Sequence, residues 1–381
     1  MMMKDVMVKQ HSTIEDFESL HKQWNALLEK SRSNTIFLTW EWLYAWWCHF
    51  GADRTLNIVT VRDPAGRLIG IGPFCITKRS GWLNPRLLTF LGTTRVSSEY
   101  LDIIAEPGCE QEVVEAICGL LFDAGDSFDA AMLSDLLDSS LVMRRVKDWA
   151  RAHQHVVEQS PCQICPYVVL PESAEEFLKA LRPAMRSNLK RGTRQIEQMG
   201  VEFSSVETIE DLKAALGALF ELHQKRWNAR GRDGNLKDAA IRAFHVQVAP
   251  QLFEHGWLRL YHLKTGHDRI ASLYAFRYAK TLYYYQAGFD PEWARFSPGT
   301  VLMGKTIEDA ISNGLTEYDY LRGEEAYKTR WTKQHRKTYR LTVIPRRHRV
   351  VLIGYRLQKL VVTVKQHVKP FIRNAGLLRR G

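Results

Sequence analysis

No stretch of this 381-residue chain is apolar for long enough to cross a bilayer. The longest near-apolar run, 68–76, has nine residues and includes Gly70, Gly72 and Pro73, where a spanning helix needs about 18 or more. Glycine and proline are sparse, at 24 and 13 residues, which excludes collagen-like and low-complexity chains. Cysteine is scarcer still. Six thiols in so long a chain are no disulfide framework and fit a reducing compartment. The opening stretch, MMMKDVMVKQHSTIEDFE, lacks an apolar signal core and carries Asp5, Glu15, Asp16 and Glu18. Neither a secretory nor a transit signal is expected, and the expected location is cytoplasmic.

Acidic residues stop at Glu325. Sixteen of the 53 Lys and Arg lie beyond it with none of the 42 acids, so the net charge of +11 belongs to one end and the first 325 residues carry −5. A basic nucleic-acid groove across the main body is therefore not expected. The tail, 346–381, places Ile353, Leu357, Leu360, Val361, Val364 and Val368 on one helical face, flanked by Arg356, Lys359, Lys365 and Lys369. Such a basic amphipathic helix suits an anionic membrane surface, the protein's own acidic body, or RNA.

The length suits two domains or one large one. Residues 13–50 read as helices, the second unusually aromatic (Phe37, Trp40, Trp42, Trp46, Trp47) and expected in the core rather than as a substrate platform. Alternating runs at 56–61 and 68–76, split by Asp63-Pro-Ala-Gly66, read as a hairpin. Strands at 87–91 and 100–104 flank a polar turn at 92–99, followed by helix, strand and helix. Pro161 and Pro166 break the pattern and mark a domain junction near 165. The second half repeats the grammar: helices at 184–199 and 209–227, a three-strand meander over 257–287, a loop at 295–300, a helix over 301–312 and a strand at 317–321. This is a mixed α/β order, unlike the βαβ alternation of a dinucleotide fold.

The loop at 295–300 has the makings of an anion seat. Ser297 can cap the following helix, Pro298 suits its first position, Gly299 permits close approach to the backbone, and Arg295 stands beside them. An ordinary capped helix would look the same. Cys162-x-x-Cys165 near His153 and His155 matches no common zinc module, so no metal is expected. Of the tyrosines at 283–285, two share a strand face and are expected to pack.

Taken together, several motifs resemble the GNAT acyltransferase superfamily, in its tandem-domain CelD-like and FemAB-like branch. In the first half they are Phe37…Trp42…Trp46, Leu68-Ile-Gly-Ile-Gly-Pro-Phe74, and Leu88-Thr-Phe-Leu-Gly92 before Glu99-Tyr-Leu-Asp102. In the second they are Cys165-Pro-Tyr-Val-Val-Leu170, Arg186-Ser-Asn-Leu-Lys-Arg191, Gly288-Phe-Asp290 running into Ser297-Pro-Gly299, Asp319-Tyr-Leu-Arg-Gly323, and Tyr327-Lys328…Trp331. The resemblance covers the chain to about residue 345. It implies an α/β fold (α+β mixed sheet) of two GNAT-like domains, 1–165 and 166–345, with the basic tail 346–381 appended.

It further implies a donor held where two strands splay, at 283–287 with Tyr285 and at 318–321. The donor's pyrophosphate would lie on Arg295, Ser297, Gly299 and Thr300. The usual loop, Gln/Arg-x-x-Gly-x-Gly/Ala, is altered, with Pro298 and Thr300 in the places of its glycines. Asp319 or Glu324 would be the base and Tyr327 the acid for the leaving thiolate. Glu99, Asp102, Asp135 and Lys328 would line the cleft. The implied donor is acetyl-CoA or a related acyl-CoA, without metal, and the acceptor an amine, a hydroxyl or a saccharide. CelD-like relatives imply a setting in cellulose or exopolysaccharide production. FemAB-like transfer from aminoacyl-tRNA, or a non-catalytic scaffold of a polysaccharide synthase complex, are the alternatives.

Overall fold

The computed structural model describes residues 6–78 and 85–348. The first half comprises β1 (Met7–His11), α1 (Ile14–Ser19), α2 (His21–Lys30), α3 (Trp40–Phe50), β2 (Arg54–Arg62), β3 (Leu68–Thr77), β4 (Leu87–Phe90), β5 (Ile104–Ala105), α4 (Glu110–Cys118), β6 (Ala130–Leu137) and α5 (Lys147–Ala152). There follow β7 (Val156–Val169), α6 (Ala174–Ala180), α7 (Pro183–Gln198), β8 (Glu202–Ser205), α8 (Ile209–Asn228) and α9 (Ala239–Glu254). The chain continues through β9 (Leu258–Thr265), β10 (Asp268–Tyr278), β11 (Thr281–Phe289), α10 (Pro298–Ser312), β12 (Glu317–Asp319) and β13 (His335–Ile344).

Local chemistry starts several helices. Thr13, Ser173, Thr208 and Asp238 each stand just ahead of one, their side-chain oxygens accepting backbone N–H bonds that the first turn cannot satisfy. In α8, Glu210 and Asp211 open and Lys225 and Arg226 close the helix, each charge complementing the dipole end it sits on. The hairpin expected from alternation is β2–β3, in register from Arg54 opposite Thr77 to Arg62 opposite Leu68.

One mixed sheet of 13 strands runs through the molecule in the order β1-β2-β3-β4-β6-β13-β7-β12-β11-β10-β9-β8, with β5 on β3. Its two ends follow one plan. Each has a single parallel pair, β4 with β6 and β11 with β12, joined by a crossover helix, α4 or α10. The last strand among the described residues, β13, lies on β6 of the first half, whereas β7 lies on β12 of the second. The two pair with each other between the halves. The halves thus exchange their closing strands.

The aromatic helix α3 is core, as its composition suggests. The Trp42 ring meets Phe244, Phe276 and Tyr285 of the second half edge-on at 4.9, 5.3 and 5.7 Å. Two expectations need correcting. The stretch with Pro161 and Pro166 is continuous strand. Pro161 sits beside an irregularity in the β7–β13 register, and Pro166 marks the point where β7 passes from β13 to β12, so neither removes a needed ladder bond. The polar turn and the strand expected over 100–104 are instead a mostly buried irregular loop over 92–103, with positive φ at Thr94, Arg95, Ser97 and Tyr100, and strand only at β5.

No helix among the described residues is long and apolar enough to cross a membrane. From residue 349 on, the basic amphipathic tail expected over 346–381 lies outside the described residues.

Candidate active site

β11 and β12 run parallel only from Thr281–Glu317 to Tyr283–Asp319. Beyond Tyr283 the strands part. On its other side, β11 pairs Tyr284 with Ala275 and Gln286 with Tyr274, leaving Tyr285 as an extra residue. Such a bulge sharpens the twist and turns the strand away from its neighbour. The result is a wedge whose β11 wall has an unpaired backbone edge.

Two adjoining cavities fill the wedge, of about 290 and 210 Å³, and share Arg226, Arg230, Tyr284, Ala287 and Tyr327. Helix α8 forms one side and is pressed onto β11. A side chain at Gly288 would come within 2.2 Å of the His223 backbone nitrogen, so only glycine admits this approach. The close fit brings Arg226 onto the strand, where its guanidinium donates to the Ala287 carbonyl at 3.1 Å and lies 5.4 Å from the Phe289 and Tyr327 rings.

The second cavity ends at the start of α10, which presents Ser297, Pro298, Gly299 and Thr300. Its first turn holds no acid. Ser297 occupies the cap position but in the left-handed region (φ 54°), without the side-chain cap its identity suggests. Its carbonyl instead accepts from Thr300 and Val301 at 2.9 and 3.1 Å. The Gly299 amide has no partner among the described residues. Arg226, Arg230 and Arg330 line the same cavity. Arg295 does not: it is exposed, with its guanidinium 4.6 Å from the neighbouring Phe296 ring. Positive charge at the seat therefore comes from residues that the sequence reading passed over. The spacing of Arg226 and Arg230 by one helical turn was the available signal.

Tyr285 supplies backbone rather than a binding ring. Its side chain is in the core and its hydroxyl donates to the Val96 carbonyl. Tyr327 borders both cavities. Burial first, then the neighbouring Tyr284 and Glu325, holds its phenol well above the ordinary range, so it keeps its proton. Lys328 is buried beside it, donating to the Arg322 carbonyl and pairing with Glu325 at 3.0 Å.

The expected carboxylates separate. Asp319, read as a base, is fully buried. It accepts from the Tyr100 hydroxyl at 2.8 Å and the Leu321 amide at 2.7 Å, and pairs with Arg336 at 3.4 Å. It borders neither wedge cavity. Burial outweighs these partners and raises its pKa to about 6. Glu324 is exposed on a different cavity, beside Arg182 and Lys333. Asp102 accepts from the Leu141, Val142 and Ile103 amides and the Ser33 hydroxyl, which makes it a helix cap.

Glu99 does reach the wedge. It comes from the irregular loop of the first half, pairs with Arg322 of the second, and borders the larger cavity. Asp135 takes the other side of Arg322 at 3.2 Å, behind the cavity wall. Burial, against the opposing pull of Arg322 and with the push of Asp135, raises Glu99 to about 8. No group of His, Cys, Asp and Glu among the described residues is arranged for a metal ion.

Residues 183–329, which contain most of the wedge wall, match the family model described as an acetyltransferase (GNAT) domain. No curated protein matches the chain. Among solved structures, FemX superposes with a TM-score of 0.62 at 11% identity, over 92% of this chain and 100% of that one. L-PGS from Bacillus licheniformis gives 0.51 at 11% identity, over 88% and 95%. The C-terminal domain of a protein assigned as a lysylphosphatidylglycerol synthetase in Agrobacterium fabrum gives 0.52 at 9% identity, over 91% and 96%. At these identities the likeness is one of fold. It spans both halves, so the matched segment and the strands before it share one fold with these structures.

Proposed function

We propose that the chain is an acyltransferase in which an anionic carrier rests at the start of α10 and delivers its activated acyl group into the wedge between β11 and β12. The observation that carries this reading is the run of open space from Gly299 to Tyr327, with Arg226, Arg230 and Arg330 on its walls and an acid-free helix end at its base. We take 1–165 and 166–345 as the two units of the chain.

An amine or hydroxyl of the acceptor attacks the acyl carbonyl, whose oxygen becomes anionic against a backbone N–H on the unpaired edge of β11. Glu99, bordering the cavity with its pKa near 8, takes the nucleophile's proton in place of Asp319 or Glu324. As the carbon–sulfur bond breaks, the Tyr327 phenol donates to the departing sulfur. Over the turnover, the nucleophile's proton ends on the thiol. Lys328, held by Glu325 and Arg322, fixes the loop that carries Tyr327.

On the first reading the donor is acetyl-CoA or a related thioester and the acceptor is an amine or a saccharide hydroxyl, in keeping with the resemblance to CelD-like proteins of exopolysaccharide production. A second reading, aminoacyl transfer from tRNA, is favoured by one feature. Arg182, Arg186, Lys190 and Arg194 repeat every four residues along about 18 Å of α7. They have no acidic partner among the described residues, while Met185 of the same helix lines the donor cavity. Calorimetry separates the two. Acetyl-CoA binding that Gly299→Asp abolishes supports the thioester. Silence toward acetyl-CoA with tRNA binding that falls steeply with salt supports the second reading. Binding of neither removes the donor role from the wedge.

A further inference from the structure

The first half has a wedge of its own. A cavity of about 200 Å³ lies where β6 ends at Leu137, bounded by Ile103 and Ala105 on the chain continuing from β4 and by Glu110 at the start of α4. These are the topological counterparts of the walls of the donor wedge: the crossover helix end, the segment past the second parallel strand and the continuation of the first. The chemistry is inverted. At α4 the helix end is closed to anions, because Glu110 and Glu112 occupy the first turn and Glu110 accepts the Gly108 amide at 2.7 Å. Positive charge stands on the opposite wall instead.

Arg144 and Arg145 there are exposed and have no acidic partner among the described residues, whereas Arg32 is bridged to Glu110 at 3.7 Å. The Asp102 carboxylate, also on the wall, is taken up by three backbone amides and the Ser33 hydroxyl. Thr35 also lines the cavity. The volume lies below the roughly 300 Å³ of pockets that take drug-sized ligands, so a nucleotide carrier is too large and a single sugar ring fits.

We infer that this cavity binds a small organic anion of the size of a phosphorylated or carboxylated sugar, with Arg144 and Arg145 on the anionic group. The site is separate from the donor wedge and does not depend on the donor reading. Titration calorimetry of the full chain with glucose 6-phosphate, glucuronate and glucose tests it. The two anions are expected to bind, with glucose about tenfold weaker or more. The exposed pair Arg144→Glu/Arg145→Glu should lose about tenfold or more in affinity for the anions while keeping its thermal midpoint. Gly299→Asp should bind both anions as the parent does. Absence of binding up to about 10 mM, equal binding of glucose, or undiminished binding by the double variant would overturn the proposal.

Discussion

The two crossovers, β4–α4–β6 and β11–α10–β12, start from the same topology and end with different space between their strands. In the first, the loop over 91–103 folds back into the gap and is mostly buried, and α4 opens with Glu110 and Glu112. In the second, the bulge at Tyr285 bends β11 away, α10 opens without an acid, and Arg226 of α8 and Arg230 just past its end face the space. A shared backbone plan therefore leaves the choice of ligand to a few local features: which loop fills the wedge, and which charges stand at the helix end. The first half is not idle, since its filling loop sends Glu99 into the wedge of the second.

The contrast is most exposed at Arg322, which joins the halves. Arg322→Ala leaves Glu99 and Asp135 buried beside each other without their cation. It should cost about 3–5 kcal/mol, read as a lowered urea midpoint. A loss under about 1 kcal/mol would mean the pair contributes no more than a surface bridge. Next in size, Tyr327→Phe should lower kcat about 100-fold at unchanged acceptor KM, because it removes the proposed acid and little packing. An unchanged kcat would move the acid elsewhere.

The helix ends can be compared directly. Gly299→Asp should weaken donor binding about tenfold or more by like-charge repulsion. It should fold normally, since a Cβ there meets only the Phe289 ring at 3.5 Å. Glu110→Gln on α4 should leave donor affinity as it was. If both variants weaken the donor equally, the two helix ends are not functionally distinct.

A last test concerns pH. The Glu99 carboxyl is raised from 4.5 to about 8 in the folded chain, chiefly by burial, so folding favours its protonated form. That contribution is fully present below the unfolded value of 4.5 and is lost as pH rises toward 8. Glu99→Gln should therefore gain on the parent in thermal midpoint from about pH 5 to pH 8, with no further gain above. A flat difference across that window would place Glu99 in a less buried setting.

Much of the architecture could be read before the structure because it rests on local patterns. The hairpin came from alternation around Asp63-Pro-Ala-Gly66, and α8 was expected over 209–227. The irregular loop could not be read, since positive φ at Thr94, Arg95, Ser97 and Tyr100 is imposed by packing against both halves and has no compositional signature. β7 was hidden by prolines that matter only if the neighbouring strand needs their N–H. β13, His-Arg-Lys-Thr-Tyr-Arg-Leu-Thr-Val-Ile, gained its place through pairing with two distant strands. At the site, Gly299, Thr300, Tyr327, Lys328 and Glu99 were within reach of motif reasoning. Arg226 and Arg230 carried only the signal of their spacing, which was passed over because a basic residue near a helix C-terminus already has a sufficient local explanation in the dipole.

The exchange of closing strands bears on how the chain is made. Translation delivers β6 first and its cover, β13, only at His335. At about 5–20 residues per second, the interval from Leu137 is on the order of 10–40 s. Throughout that time the nascent first half presents an open strand edge, the kind that recruits other chains. A polypeptide released before His335 would keep that edge for good. Premature termination should thus yield aggregation-prone product rather than a working amino-terminal fragment.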